Sequence, residues 1–169
     1  MFRPLALVAF TSCFLNCSPL CAQNHATSPA NPAIEEFKSL AGEWEGKDSH
    51  GSTIHISYEV LPSGVVMERL QPEHEPGMLT MYSLDGDHIV AFHFCSQGNQ
   101  PVLKTETLST ATGKYEFTLE HAYGLKSSGE VHMVQLLVTI SDKDHLTQVW
   151  TNLHNGKRSS NTITLARKK

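Results

Sequence analysis

The sequence predicts an all-β domain: a single antiparallel up-and-down β-barrel of about ten strands, preceded by a short N-terminal helix. Three observations lead there. Turn-forming clusters recur at near-regular spacing from Glu43 to the C-terminus. The runs between them are rich in β-branched and aromatic residues and often alternate apolar with polar. One helical pattern stands apart, ahead of the first strand, and ends on a glycine. A sequential meander of this length removes its open edges most simply by closing on itself.

Taken in chain order, residues 1–22 read as a signal peptide. Arg3 supplies the positive start, an apolar run extends from Pro4 to Phe10 with Phe14-Leu15 beyond, and Leu20-Cys21-Ala22 fits a small-residue cleavage site. The run is too short and interrupted to span a bilayer, and no other stretch approaches that length. The expectation is an exported protein, periplasmic or secreted. The competing reading is a lipoprotein acylated on Cys13, after Thr11-Ser12. Of the four cysteines, Cys13, Cys17 and Cys21 leave with the signal, so Cys95 stays behind without an internal disulfide partner.

Residues 23–32 are polar, Pro- and Ala-rich, and read as a flexible leader, with the barrel domain over residues 33–169. Asn31 is placed to cap a helix from Pro32 to Ala41. Pro at the first position, acids in the first turn and Gly42 past the end are its start and stop signals. Ile34, Phe37, Leu40 and Ala41 would form one apolar face, suited to plugging one end of a barrel. From Glu43 the turn cues are Asp48-Ser49-His50-Gly51, Pro62-Ser63-Gly64, Glu75-Pro76-Gly77, Asp85-Gly86, Gln97-Gly98-Asn99, Thr112-Gly113, Ser127-Ser128-Gly129, Asp142-Lys143-Asp144 and Asn155-Gly156.

Side-chain alternation then predicts which residues face inward. With Pro62-Ser63 as the central turn pair, Tyr58 faces Met67 and Ile56 faces Arg69. That register turns Tyr58 and Arg69 inward and leaves Glu59 and Glu68 outside. Around Asn155-Gly156, Trp150 pairs with Asn161, Gln148 with Ile163 and Leu146 with Leu165, all on the inner face. In the preceding strand, His132, Val134, Leu136, Val138 and Ile140 share a face that a turn at Asp142-Lys143-Asp144 would also place inside. Around Asp85-Gly86 the two faces compete. One is purely apolar (Leu79, Met81, Val90, Phe92, Phe94). The other mixes Met78, Thr80, Tyr82, Ile89, Ala91 and His93, with Cys95 following. Burial favours the apolar face inside; a ligand-holding barrel would reverse it.

Tyr58, Arg69, His132, Gln148 and Trp150 would then be a few polar groups in an apolar interior, the composition of a small-molecule site. Arg69 would pair with a carboxylate and Trp150 would stack on a flat ligand. The alternative is a filled barrel in which these groups satisfy one another. His93, Cys95, Asn99 and Gln100 would form a mouth or second site. His93 and Cys95 at i, i+2 are too few for a metal centre, and no metal is expected. An enzyme using His93 and Cys95 stays open as an alternative, although no nucleophile, Walker-type or dinucleotide motif surrounds them. Charged residues make up 18% of the chain, the formal net charge is −4, and no basic stripe appears, which argues against nucleic acid.

The run Leu40-Ala41-Gly42-Glu43-Trp44-Glu45-Gly46, then Met81 to Asp87, then His93-Phe94-Cys95 with Gly98-Asn99-Gln100-Pro101, and finally Trp150, resembles a family of exported bacterial proteins of unknown function that are similar in outline to the calycins, the lipocalin-like barrels. The resemblance covers about residues 36–168. It implies a closed barrel and carries no established activity. A more distant resemblance is to nitrobindin, a ten-stranded haem-binding barrel whose iron is held by a histidine near the C-terminal strands. Here Asn161-Thr162-Ile163-Thr164-Leu165 contains no histidine, which departs from that pattern. The expectation is therefore a barrel that binds a small apolar or amphipathic molecule without catalysis and without a cofactor. A haem protein or redox isomerase of the nitrobindin sort, with His132 or His93 as ligand, is the alternative.

Overall fold

The structure is a computed structural model and describes residues 31–106 and 113–169. The segment 1–22 expected as a signal peptide, with Cys13, the expected leader up to residue 30, and Thr112 of one turn cue lie outside the described residues. Helix α1 (Pro32–Lys38) is followed by β1 (Gly42–Asp48), β2 (Thr53–Val60), β3 (Val66–Pro72), β4 (Met78–Asp85), β5 (His88–Phe94), β6 (Gln100–Thr105), β7 (Lys114–Tyr123), β8 (His132–Asp142), β9 (His145–His154) and β10 (Lys157–Arg167). Each strand pairs antiparallel with its chain neighbours, and β1 pairs with β10, so the ten strands close into an up-and-down barrel. No described helix is long and apolar enough to cross a membrane.

Seven residues are too few for a helix to stand alone in water. Three features hold α1. The Asn31 side chain accepts from the Ala33 N–H at 3.0 Å, Pro32 opens the first turn, and an apolar face is buried. That face is Ala33, Ile34, Phe37 and Leu40; Ala41, expected with them, is exposed because the helix stops at Lys38 and the chain turns toward β1. Phe37 packs its ring against Tyr82 and Tyr115, each at 4.9 Å, and against Phe117 at 6.0 Å. The helix thus plugs one barrel end, as its pattern predicts.

The Gly-x-Trp run fastens that plug. The buried Trp44 indole donates to the Leu40 carbonyl at 2.8 Å, and the Arg167 guanidinium lies 4.4 Å over its ring. Arg167 also donates to the Ala41 and Ser39 carbonyls. At Gly46 the backbone of β10 comes so close that a Cβ would collide with the Thr164 carbonyl, so no other residue fits.

The β9–β10 hairpin has the predicted register, Trp150 with Asn161, Gln148 with Ile163 and Leu146 with Leu165. Asn155 (φ 48) and Gly156 (φ 75) supply the two positive angles of a type I′ turn. The β2–β3 hairpin departs by one residue. Its turn spans Pro62-Ser63-Gly64, with Gly64 at φ 85, so Tyr58 pairs with Glu68 and Ile56 with Leu70. A one-residue slip exchanges the faces of a strand. Glu68 therefore points inward and is 0% exposed, while Arg69 points out and is exposed.

In β4–β5 the mixed face is the inner one. Thr80, Tyr82, Ile89, Ala91 and His93 are buried, while Phe92 (43%) and Phe94 (48%) stand in solvent. The purely apolar face loses because the polar groups of the mixed face find partners inside, described next.

Candidate functional site

The barrel interior divides into layers along its axis. Next to α1, large apolar side chains fill it: Trp44, Val66, Tyr82, Phe117, Leu136, Val138, Leu146 and Leu165 are all buried. At mid-height lies a polar layer. Tyr58 and Tyr82 each donate a phenolic hydrogen to Glu68 Oε2, at 2.7 and 2.9 Å, and the Gln148 amide donates to the same oxygen at 2.7 Å. Gln148 Nε2 also lies 2.8 Å from the Tyr58 hydroxyl, and Gln148 Oε1 accepts from the Trp150 indole N–H at 2.8 Å. Every donor in the chain leads toward Glu68 Oε2, so that atom is the acceptor and any carboxyl proton resides on Oε1. Oε1 has no partner among the described residues.

Burial drives the electrostatics of this layer. It pushes the Glu68 carboxyl above the usual carboxylate range, and the bonds from Tyr58, Tyr82 and Gln148 offset that only in part. Burial, with the Glu68 charge, pushes both phenols far up, so they stay neutral donors.

Above the polar layer is a cavity of about 480 Å³, open at the end opposite α1. Its floor and walls are Ile54, Leu70, Met78, Met133, Ile163, His93 and Trp150. Its rim comes from the β1–β2, β3–β4 and β5–β6 connections and from β10, and includes Asp48, His50, His74, Glu75, Gln97 and Asn161. His93 packs edge-on to Trp150, ring centres 4.9 Å apart, and its Nδ1 lies 3.0 Å from Thr80 Oγ1. Burial pulls this imidazole down to about 4, so it is neutral at ordinary pH.

The predicted site residues scatter over three places. Trp150 borders the cavity; its N–H belongs to Gln148, which leaves its ring for a ligand. Tyr58 and Gln148 are interior, but sit one layer below the cavity, bound to Glu68. Arg69 is outside the barrel through the register slip and cannot meet an interior carboxylate. His132 borders the cavity by a route other than simple alternation. A bulge between Met133 and Gln135 gives Met133 the inward place opposite Asn152, while His132 lies at the rim with its Nδ1–H donated to the Glu130 carbonyl at 2.8 Å.

Of the expected mouth residues, His93 and the half-buried Cys95 do border the cavity. Asn99 does not: it is fully buried, and its amide donates to the Val131 carbonyl at 2.9 Å, tying the β5–β6 turn to the β7–β8 connection. Gln100 donates to the Gly98 carbonyl and borders a shallow groove on the outer wall with Phe92, Phe94 and Tyr123. Sequence reasoning missed Glu68, Met78 and Asn152. The Gly64 position of the turn was the available signal for Glu68. Among the described residues no group of three metal-ligating side chains converges.

The fold has relatives among solved structures. Rv2717c from M. tuberculosis superposes with a TM-score of 0.64 at 12% identity, over 82% of this chain and 98% of that one. A protein of unknown function from the DUF3598 family of Nostoc punctiforme superposes with a TM-score of 0.53 at 11% identity, over 78% of this chain; the chain spans about half of that protein, 49%. At these identities the likeness is one of fold. No protein-family model matches the chain, and no curated protein matches it.

Proposed function

We propose that this protein is an exported carrier, and that its open cup holds one small, mostly apolar molecule without transforming it. The observation that carries this reading is the division of the interior. One half is packed solid against a helical plug, and the other keeps an apolar-floored cavity of about 480 Å³, within the size range of small-molecule sites. Trp150 and His93 offer ring surface to a flat ligand, and Asn152 and the rim offer hydrogen bonds. The Glu68 layer holds Gln148, and Gln148 holds the Trp150 indole, so the stacking surface is fixed before a ligand arrives.

The test is titration with N-phenyl-1-naphthylamine, a neutral dye that brightens in apolar surroundings. Saturable one-to-one brightening is expected. Asn152→Trp, which places a large side chain in the cup from a half-buried position, should abolish it while the far-ultraviolet circular dichroism stays unchanged. Brightening that survives Asn152→Trp puts the dye elsewhere and overturns the reading.

The haem alternative has two imidazoles available. His132 donates its Nδ1–H to a carbonyl, which leaves Nε2 as the ligating nitrogen, and His93 is neutral. The rim does not suit haem's carboxylates. Among the residues bordering the cavity are Asp48 and Glu75 but no lysine or arginine.

A further inference from the structure

The same rim points to the class of ligand, on the premise that the cup is a ligand site. We infer that the cup selects by charge: it takes neutral or cationic apolar molecules and disfavours anionic amphiphiles such as fatty acids, aryl sulfonates and porphyrin carboxylates. Two carboxylates border the opening, Asp48 from the end of β1 and Glu75 from the β3–β4 turn, and no lysine or arginine does. The one inward arginine that the sequence suggested, Arg69, lies outside the barrel.

Asp48 is a fixed charge. Burial works to raise its carboxyl, but hydrogen bonds from the Ser52 N–H, the Asn161 amide and the His50 N–H, with a smaller attraction to the His50 ring, outweigh burial and hold it below the usual range. The carboxylate is therefore ionised and immobile at the lip. Glu75 adds a second, solvated charge at the lip, from the β3–β4 turn. Lys47 near the end of β1, Lys126 on the β7–β8 connection, and Lys157 and Arg158 at the start of β10 occupy the same end of the barrel in exposed positions, yet none borders the cavity. Deeper in, the polar layer supplies no compensating cation: the partners of Glu68 are two phenols and an amide. An anion entering the cup thus meets negative charge at the lip and finds no positive group below. A neutral molecule is indifferent to that field, and a cation gains from it and from the Trp150 ring.

The test compares two dyes on one skeleton. N-phenyl-1-naphthylamine is neutral, and 8-anilinonaphthalene-1-sulfonate is the same arylamine carrying a sulfonate. At neutral pH and low salt the neutral dye should bind at least roughly tenfold more tightly. Apolarity alone would favour the neutral dye, so two further readouts isolate charge. Raising salt from about 20 to about 300 mM should narrow the ratio, because screening relieves repulsion at the lip. Glu75→Lys, at an exposed turn away from the core, should narrow it further by tightening the sulfonate dye alone. Equal or tighter binding of the sulfonate dye overturns the inference. So does a ratio that moves neither with salt nor with Glu75→Lys, since the discrimination would then be steric. Failure of both dyes to bind overturns instead the premise that the cup holds ligands.

Discussion

The two halves of the barrel are built from the same strands yet solve opposite problems. The α1 half is closed and packed. Phe37 sits among Tyr82, Tyr115 and Phe117, and Trp44 bonds back to the helix it follows. The other half keeps its apolar walls but not its filling. The Glu68 layer separates them, with a hydrogen-bonded set of four side chains that spans β2, β3, β4 and β9. The contrast suggests that stability is concentrated on one side so that the other can stay open. A stable solid half tolerates a void that a uniformly packed barrel of this size would collapse into.

The same deletion made in each half tests this most strongly. Leu146 and Leu70 are both buried leucines, one in the packed half and one on the cavity wall. Leu146→Ala should cost ~4 kcal/mol, because it opens a new void in a close-packed layer. Leu70→Ala should cost only ~2 kcal/mol, because its side chain already faces space. Urea unfolding midpoints with equal slopes give both numbers. Equal costs would mean that the cup is packed in solution and that the halves do not differ.

The layer between the halves gives the next effect. Glu68→Leu removes the acceptor shared by Tyr58, Tyr82 and Gln148 and leaves the two buried phenols without theirs, while Gln148 keeps the Tyr58 hydroxyl, at a cost of ~3 kcal/mol. Glu68→Gln keeps an accepting oxygen and should cost ~1 kcal/mol. Because Gln148 holds the Trp150 indole, Glu68→Leu should also shift Trp150 emission and weaken dye binding, whereas Leu146→Ala should do neither. If Glu68→Leu proves harmless, the polar layer does not organise the cup.

Most of the architecture was legible in the sequence because it is written locally. The cap at Asn31, the Asn155-Gly156 turn and the alternation of Leu146, Gln148 and Trp150 each depend on residues near one another in the chain. Glu68 was not legible, for two physical reasons. Gly64 adds one residue to the β2–β3 turn, and that single residue exchanges Glu68 with Arg69. The partners that make a buried carboxyl tolerable come from Tyr82 and Gln148, the latter 80 residues away. The same long-range pairing decides the β4–β5 hairpin. On burial alone Phe92 and Phe94 belong inside. They stay out because Tyr82 must reach Glu68, and His93, on the same face, meets Thr80 and Trp150. Composition ranks faces by apolarity; it does not show which polar groups will satisfy each other.

His93 sits at the boundary between the cup and the packed interior, and its titration is the smallest and sharpest check on the two halves. It borders the cavity but is only 2% exposed, and burial lowers its imidazole to about 4. The folded protein therefore binds fewer protons at His93 than the unfolded chain between the ordinary histidine range and that value. Stability from this group is full above the ordinary range and is lost as pH falls toward about 4. At pH 5 the loss relative to pH 7.5 should be ~2 kcal/mol. Glu68 runs the other way: its raised pKa lets the folded state take a proton first, so acidification through that range adds stability. Wild-type pH dependence mixes the two, and a variant separates them. His93→Gln removes one contribution and leaves the Glu68 layer intact. The stability gap between wild type and His93→Gln should shrink by ~2 kcal/mol from pH 7.5 to pH 5. A constant gap would mean that His93 titrates as in water, which would move the floor of the cup below it and place the polar layer, rather than the His93–Trp150 pair, at the bottom of the site.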